Sequence, residues 1–130
     1  MIKVLIDENL SKYFADGLNK LQYPLGNGIE VTSIEKEFFR GIKDEDWIPD
    51  WGNQSGIFIS QDLRIYSTRL QAALLTKHNI GAFFLKLPKG YRYWDKTQVI
   101  IKHWIEIVKI IEMNKPPYVY FISAKRITKG

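Results

Sequence analysis

Three aspartates stand where side chains could do chemistry. Asp7 directly follows the apolar stretch Ile2–Ile6, and Asp62 follows the apolar stretch Gly56–Ser60 after one residue; both stretches are typical of buried strands. Asp44 opens an acidic segment that is predicted to begin a helix. Ligands of open parallel sheets bind beyond the carboxyl ends of the strands, so Asp7 and Asp62 face one crevice if their strands are neighbours, and Asp44 reaches it if its helix starts at the same edge.

Carboxylates are hard oxygen ligands that hold Mg²⁺ or Mn²⁺ and leave water in the coordination shell. Such an ion neutralises a phosphodiester and activates a water for attack on it. The sequence therefore predicts a divalent metal site at Asp7, Asp44 and Asp62. Each aspartate taken alone is also typical of a turn or a helix cap, and this alternative stays open at the level of sequence.

The charges divide unevenly along the chain, whose formal net charge is +5. Residues 1–65 hold 11 acids and 7 bases, for a net charge of −4, whereas residues 66–130 hold 3 acids and 12 bases, for +9. A basic surface attracts polyanions and speeds their capture, and the same surplus also keeps a small protein in solution. The asymmetry predicts two surfaces with separate tasks.

Basic residues of the second half alternate with the aromatic residues Tyr91, Tyr93 and Trp94. Rings that stack on bases and cations that follow phosphates suit single-stranded RNA, although a solvated loop has the same composition. The residues that we assign to RNA binding are Arg69, Lys86, Lys89, Arg92 and Lys96.

Arg64 lies two residues beyond Asp62 and is the base nearest to this acid in the sequence. A guanidinium at that point can contact a scissile phosphate and stabilise the charge of the transition state. We therefore count Arg64 among the catalytic candidates. The alternative is an ion pair with Asp44 or Asp46.

Strand patterns alternate with helix patterns along the whole chain, which is typical of a parallel sheet covered on both faces. We expect an α/β fold, a three-layer α/β/α sandwich with a mainly parallel central sheet of four or five strands, in a single domain over residues 1–130. Residues 125–130 are predicted to be a frayed basic tail. The predicted strands are Ile2–Ile6, Ile29–Ile34, Gly56–Ser60, Ala82–Leu87 and Tyr118–Ile122, and the longer later helices are 63–79 and 95–114.

Two apolar patterns concern packing rather than catalysis. Trp47 and Trp51 are four residues apart, which predicts side chains that anchor the core or an interface. The helix predicted over 95–114 is apolar almost all round, so it is either buried or carries a surface for a partner.

Composition excludes several classes of protein. The chain has 130 residues and no cysteine, which rules out disulfide scaffolds, thiol nucleophiles and thiolate zinc sites. Its apolar N-terminal stretch is too short for a signal peptide, and no apolar run approaches the length of a membrane-spanning helix. We expect a cytoplasmic protein.

Three short motifs resemble the PIN-like domain family, whose small members include VapC-type toxins of toxin–antitoxin pairs. The first is a strand followed by an Asp, one residue and an Asn, here Asp7 and Asn9. The second is an Asp that opens a helix, here Asp44. The third is an apolar strand with Ser or Thr, one residue and an Asp, matched by Ser60 and Asp62.

This resemblance implies a metal-dependent endoribonuclease that is the toxin of a toxin–antitoxin pair, with RNA as substrate, an antitoxin protein as partner and a homodimer as its assembly. It implies that Asp7, Asp44 and Asp62 hold Mg²⁺ or Mn²⁺, and that Asn9 and Ser60 orient the carboxylates by hydrogen bonds.

The sequence departs from the family pattern in one respect. The pattern carries a further acid, usually Glu, on a helix between the first and later motifs, and residues 10–43 offer no clean match. Glu8, Glu45 and Asp46 are the acids that could substitute. Two alternatives therefore remain: a catalytically inactive PIN-like module that binds RNA or a partner, and a receiver-type signalling domain that uses Lys86 or Lys89.

Overall fold

The computed structural model describes residues 1–130 as a central sheet of six strands with helices on both faces. The strand order is β2-β1-β3-β4-β5-β6, and all neighbours are parallel except the last pair. The strands are β1 (Ile2–Ile6), β2 (Ile29–Ser33), β3 (Ile57–Ser60), β4 (Gly81–Leu85), β5 (Tyr118–Ile122) and β6 (Ile127–Lys129). The helices are α1 (Lys12–Gln22), α2 (Ile34–Glu37), α3 (Asp44–Gln54), α4 (Arg64–Ser67), α5 (Arg69–Lys77) and α6 (Tyr93–Met113), with single 3₁₀ turns at Glu8–Leu10 and Tyr23–Leu25.

One face of the sheet packs against α1 and α6. Successive side chains of a strand point to opposite faces, so Val4 and Ile6 join this layer while Leu5 joins the other. The helices contribute apolar residues spaced three and four apart, which places them on one side of each helix. The buried helical residues of this layer are Leu18, Phe14 and Ala15 of α1 and Val99, Ile100, Trp104, Ile107, Val108 and Ile111 of α6.

The other face packs against α3, α4 and α5. Trp47 and Trp51 are fully buried there, which confirms the prediction that they anchor the core. A Cβ atom at Gly52 would clash with the backbone carbonyl oxygen of His78. Only glycine therefore allows α3 to approach the end of α5 this closely.

The prediction of a single helix over residues 63–79 is wrong. Two helices, α4 and α5, occupy that stretch, because Thr68 between them has an extended backbone with φ of −90° and ψ of 141°. The Thr68 side chain accepts a hydrogen bond from the backbone N–H of Gln71 and so caps α5. This break leaves α4 as one short turn that follows Asp62.

The predicted frayed tail is also wrong, because residues 127–129 form β6. This strand pairs antiparallel with β5 and brings the sheet to six strands rather than four or five. Ser123 stabilises the turn between them: its Oγ accepts hydrogen bonds from the backbone N–H groups of Lys125 and Arg126. The turn holds Lys125 at a defined place beside the carboxyl end of β5.

The long helix α6 is partly buried and partly apolar on its exposed side. His103 and Trp104 face inward, whereas Trp94, Ile101 and Ile105 are exposed. The alternative of a buried helix therefore holds for one side of α6, and apolar residues remain exposed on the other side. No helix has the length and apolar character needed to cross a membrane.

Candidate active site

The point where the strand order reverses lies between β1 and β3. From β1 the chain passes to β2 on one side and later to β3 on the other. Asp7 follows β1 directly and its backbone N–H donates to the carbonyl oxygen of Ile59, 3.0 Å away. Asp62 follows the neighbouring β3 after one residue. The two aspartates therefore stand at the same edge of the sheet, at its switch point.

Ser60 connects the two aspartates. Its Oγ donates a 2.7 Å hydrogen bond to Oδ2 of Asp7 and accepts one of 2.9 Å from the backbone N–H of Asp62. Asn9 lies farther away, with Nδ2 3.5 Å from the same Asp7 oxygen. Because Ser60 is fully buried, it fixes the Asp7 carboxylate and the start of the β3–α4 turn together.

Asp44 reaches this edge from α3. Its Oδ1 accepts a hydrogen bond from Nε1 of Trp47 at 3.0 Å, and its Oδ2 accepts one from Nε2 of Gln71 at 3.2 Å. Asp44 and Asp62 line one cavity of about 250 Å³ together with Arg64 and Gln71. Asp44 is thus held between α3 and α5, with Asp62 opposite.

The charges of these carboxylates are coupled through Asp62. Burial raises the pKa of Asp7 from 3.8 to about 6, against the lowering effect of the Ser60 hydrogen bond, and the nearby charge of Asp62 adds to the rise. Burial and then the charge of Asp62 likewise raise the pKa of Asp44, which the Trp47 hydrogen bond lowers in part. The charge of Asp62 thus raises the pKa of both other aspartates.

Asp62 itself is neutralised by Arg64. Nε of Arg64 donates to Oδ1 at 2.9 Å and an Nη donates to Oδ2 at 3.0 Å, while the Arg64 backbone N–H also donates to Oδ1 at 3.0 Å. These bonds hold the pKa of Asp62 below its usual value. The sequence alternative of an ion pair for Arg64 is therefore present, but its partner is Asp62 rather than Asp44 or Asp46.

The three predicted metal ligands do not form a ready three-ligand group. No three His, Cys, Asp or Glu side chains are arranged so that they could hold a metal ion together. Mg²⁺, however, is bound in many proteins by one or two carboxylates with water completing its shell. The coupled carboxylates Asp7 and Asp62 fit this requirement in chemistry, with the Arg64 guanidinium as a cation already bound to one of them.

The acids that could replace the absent family Glu lie apart from this pair. Glu8 Oε2 accepts a hydrogen bond from the backbone N–H of Gly41 at 3.0 Å, which fastens the loop before α3. Glu45 and Asp46 are exposed in the first turn of α3. The charge of Glu45 raises the pKa of Asp44, whereas Glu8 lowers the pKa of Asp7 through a backbone hydrogen bond and raises it through its charge.

A basic groove of about 780 Å³ adjoins the carboxylates at the same edge of the sheet. Gln61 and Leu63, the residues on either side of Asp62, form part of its wall. Leu85, Leu87 and Pro88 provide an apolar wall, and no acid lines the groove. Its four lysines are Lys86, Lys89, Lys96 and Lys125.

The structure brings together three of the five residues that were assigned to RNA binding. Arg69 and Arg92 are exposed but lie outside the groove lining. Lys125 lines the groove although the sequence set omits it, because the turn that positions it was predicted to be frayed. The Lys86 ammonium lies 4.3 Å from the centre of the Phe121 ring, a cation–π contact at the end of β4.

Comparison with known proteins supplies one match. The family model described as PIN like domain matches residues 2–87, more than half of the chain. No curated protein and no solved structure matches it. The matched range contains β1 to β4 and all three aspartates, and the mainly parallel sheet is consistent with this family. The chain therefore belongs to the PIN-like domain family, which indicates a nuclease-type function in general terms.

Proposed function

We propose that this protein is an endoribonuclease that hydrolyses RNA phosphodiesters with Mg²⁺ or Mn²⁺ bound at the Asp7–Asp62 edge. The observation that carries this proposal is that an acidic surface and a basic surface lie side by side at one edge of the sheet. Coupled carboxylates stand at the ends of β1 and β3, and a groove with four lysines and no acid begins beside Asp62. Acids suit the cation, and lysines suit the polyanion that it acts on.

Each residue of the site has a distinct task in this proposal. Asp7 and Asp62 would hold the cation, which when bound supplies positive charge beside the phosphate. Ser60 keeps Asp7 oriented through its 2.7 Å hydrogen bond, and Asp44 adds negative charge on the α3 side of Asp62. The groove lysines hold the RNA backbone, and Arg64 provides a guanidinium for the phosphate oxygens at the same edge.

The direct test is cleavage of a mixed RNA pool in the presence of Mn²⁺ or EDTA. Metal-dependent cleavage should fall about 1000-fold in Asp62→Asn, since loss of a metal ligand removes several kcal/mol of transition-state stabilisation. Asp50→Asn is the matched control, because Asp50 is exposed on α3 and its side chain accepts a hydrogen bond from Gln54 alone. Equal cleavage by Asp62→Asn and the unmodified protein would contradict the proposal.

The second candidate is a catalytically inactive module that binds RNA or a partner. It is favoured by one observation: each of the three aspartates already accepts hydrogen bonds from protein donors, so none is a vacant ligand. In this case the lysine groove would bind RNA, Mn²⁺ titration would show no binding, and RNA would stay intact with and without metal.

The role of a toxin rests on an exposed apolar stripe of α6. Trp94, Ile101 and Ile105 are spaced seven and four apart, which places them on one side of the helix, and all three are exposed. Such a stripe suits an antitoxin protein or a second copy of the chain.

The toxin role is tested by induced expression. Expression should arrest growth, and Asp62→Asn should relieve the arrest whereas Asp50→Asn should not. Arrest by Asp62→Asn at equal protein level would contradict a toxin that acts by cleavage.

A further inference from the structure

The Arg64 guanidinium occupies the carboxylate that the proposed cation would need. Both oxygens of Asp62 accept a hydrogen bond from the Arg64 side chain, at 2.9 and 3.0 Å, in the two-pronged geometry typical of arginine and carboxylate. Such a pair places a full positive charge where a divalent ion would bind. The guanidinium thus already fills the place of a cation at this site.

Asp62 is the one hydrogen-bond and ion-pair partner of the Arg64 side chain. The Arg64 side chain is 86% exposed, whereas that of Asp62 is 19% exposed, so the acid is enclosed by the protein and the base extends into solvent. Asp62 is the only acid within ion-pair distance of Arg64. An exposed ion pair of this kind is weak enough to exchange its cation.

The helix that carries Arg64 is short and holds the side chain only loosely to the core. Arg64 begins α4, a single turn of four residues that ends where the backbone becomes extended at Thr68. Only Ile65 of this turn is buried, so the core fixes the position of the turn and leaves the Arg64 side chain in solvent. Release of the guanidinium therefore requires no repacking.

We propose that Arg64 competes with the divalent cation for Asp62, so that the ion binds as the guanidinium leaves. This inference rests on the proposed function, because it concerns the cation of that site. Metal binding then frees a positive side chain beside the bound RNA, and the metal-free protein keeps its Asp62 carboxylate neutralised.

The first test measures Mn²⁺ affinity of the full chain by electron paramagnetic resonance of the free ion. Arg64→Gln should bind Mn²⁺ about three- to tenfold more tightly, since it removes both an exposed ion pair and a like charge beside the ion. Lys77→Gln is the matched control: Lys77 is exposed on α5 and belongs to no ion pair, so removal of its charge should leave the affinity unchanged. The gain should vanish when Asp62→Asn is added to Arg64→Gln.

The second test follows the Arg64 Nε–H resonance by ¹H–¹⁵N spectroscopy during a Mg²⁺ titration of the unmodified protein. This resonance should move to the position of a free arginine as the ion binds, and the Arg69 resonance should not. An unchanged Arg64 resonance at saturation would overturn the inference, as would equal or weaker Mn²⁺ binding by Arg64→Gln, or no binding by any variant.

These results separate the inference from the nuclease proposal. Tighter Mn²⁺ binding by Arg64→Gln without any RNA cleavage supports the competition and contradicts the nuclease. Asp62-dependent cleavage with equal Mn²⁺ affinity in both proteins supports the nuclease and overturns the competition.

Discussion

The edge of the sheet at its carboxyl ends has two halves that differ in construction. At the ends of β1 and β3, Asp7 is 6% exposed and is held by the fully buried Ser60. At the ends of β4 and β5, the groove lysines lie on loops or, for Lys96, in the first turn of α6, and Lys86, Lys89 and Lys125 are exposed. The acidic half is therefore held in place by buried residues, whereas the side chains of the basic half lie at the surface.

This difference shows where the fold accepts a cost in stability. A buried carboxylate loses hydration, and hydrogen bonds recover only part of it, as the raised pKa of Asp7 indicates. Exposed lysines keep their hydration and cost little. Substitutions in the acidic half should therefore change both activity and stability, whereas substitutions in the basic half should change RNA affinity alone.

The largest effect is expected from Asp7→Asn. Cleavage should fall about 1000-fold with the loss of the carboxylate, while the free energy of unfolding at pH 8 should rise by about 2 kcal/mol, because a desolvated charge is removed. The folded-state pKa of Asp7 is raised from 3.8 to about 6, so its contribution to stability is complete below pH 3.8 and is lost as pH rises through about 6.

The stability part is checked by urea unfolding of both proteins at pH 8 and pH 4. The gain for Asp7→Asn should be present at pH 8 and should shrink at pH 4, where the Asp7 carboxyl is protonated in the folded protein. A loss of stability at pH 8 would contradict the cost that we assign to the acidic half.

Ser60→Ala should have the next largest effect. It removes the donor to Asp7 and the acceptor for the Asp62 N–H, so the cleavage rate should fall about 10- to 100-fold, as for other residues that orient a metal ligand. The free energy of unfolding should fall by about 1–3 kcal/mol, because a buried carboxylate loses its partner. Ser67→Ala, whose exposed hydroxyl donates only to a backbone carbonyl, is the control for both assays. Equal effects of the two variants would argue against the bridging role of Ser60.

The pH dependence of cleavage sharpens the same comparison. At subsaturating Mn²⁺ the rate should fall about tenfold per pH unit below about 6, because Asp7 must lose its proton before it can bind a cation. RNA affinity should change little over the same range, because no carboxylate lines the groove. Single-turnover cleavage and RNA binding between pH 5 and pH 8 measure the two effects, and a rate that stays flat down to pH 5 would exclude Asp7 as an ionised participant.

The smallest effect is expected from the basic half. Lys89→Gln with Lys125→Gln should weaken RNA binding a few-fold and lower the salt dependence of the binding constant by about 0.7 per lysine, the value for single strands. Lys77→Gln with Lys109→Gln, from exposed positions of α5 and α6 outside the groove, should leave the slope unchanged. Filter binding over a salt series measures these effects. If the binding constants of the two double variants depended equally on salt, the proposal that RNA binds in the groove would be contradicted.

Much of the fold follows from local patterns. Strands β1 and β5 agree with the predicted bounds, β2 and β3 differ by one residue at one end, and β4 differs by one residue at its start and two at its end. The agreement is close because continuous apolar runs are a strong signal for buried parallel strands. The break at Thr68 was missed, since a threonine cap inside an apolar helical pattern is a weak signal. Strand β6 was missed because a three-residue edge strand is recognised only through its partner, β5.

The sequence predicts which residues form the site, but it predicts the contacts between them less well. The pattern places Asp7 and Asp62 after two buried strands, and the structure shows that these strands, β1 and β3, are neighbours. The Arg64–Asp62 pair depends on the turn after β3, and the contact of Gln71 with Asp44 depends on the packing of α5 against α3; neither has a local pattern. Lys125 entered the groove only through the β5–β6 turn.

One pair of variants tests the division between the two halves most directly. Single-turnover cleavage and binding of the same RNA would be measured for Asp62→Asn and for Lys89→Gln with Lys125→Gln, in Mn²⁺. We predict that Asp62→Asn keeps its RNA affinity within about twofold and loses cleavage, because the phosphate contacts lie in the groove. The lysine variant should bind more weakly and cleave at the normal rate once saturated. Cleavage by Asp62→Asn, or an equal loss of the saturated rate in both variants, would contradict the account.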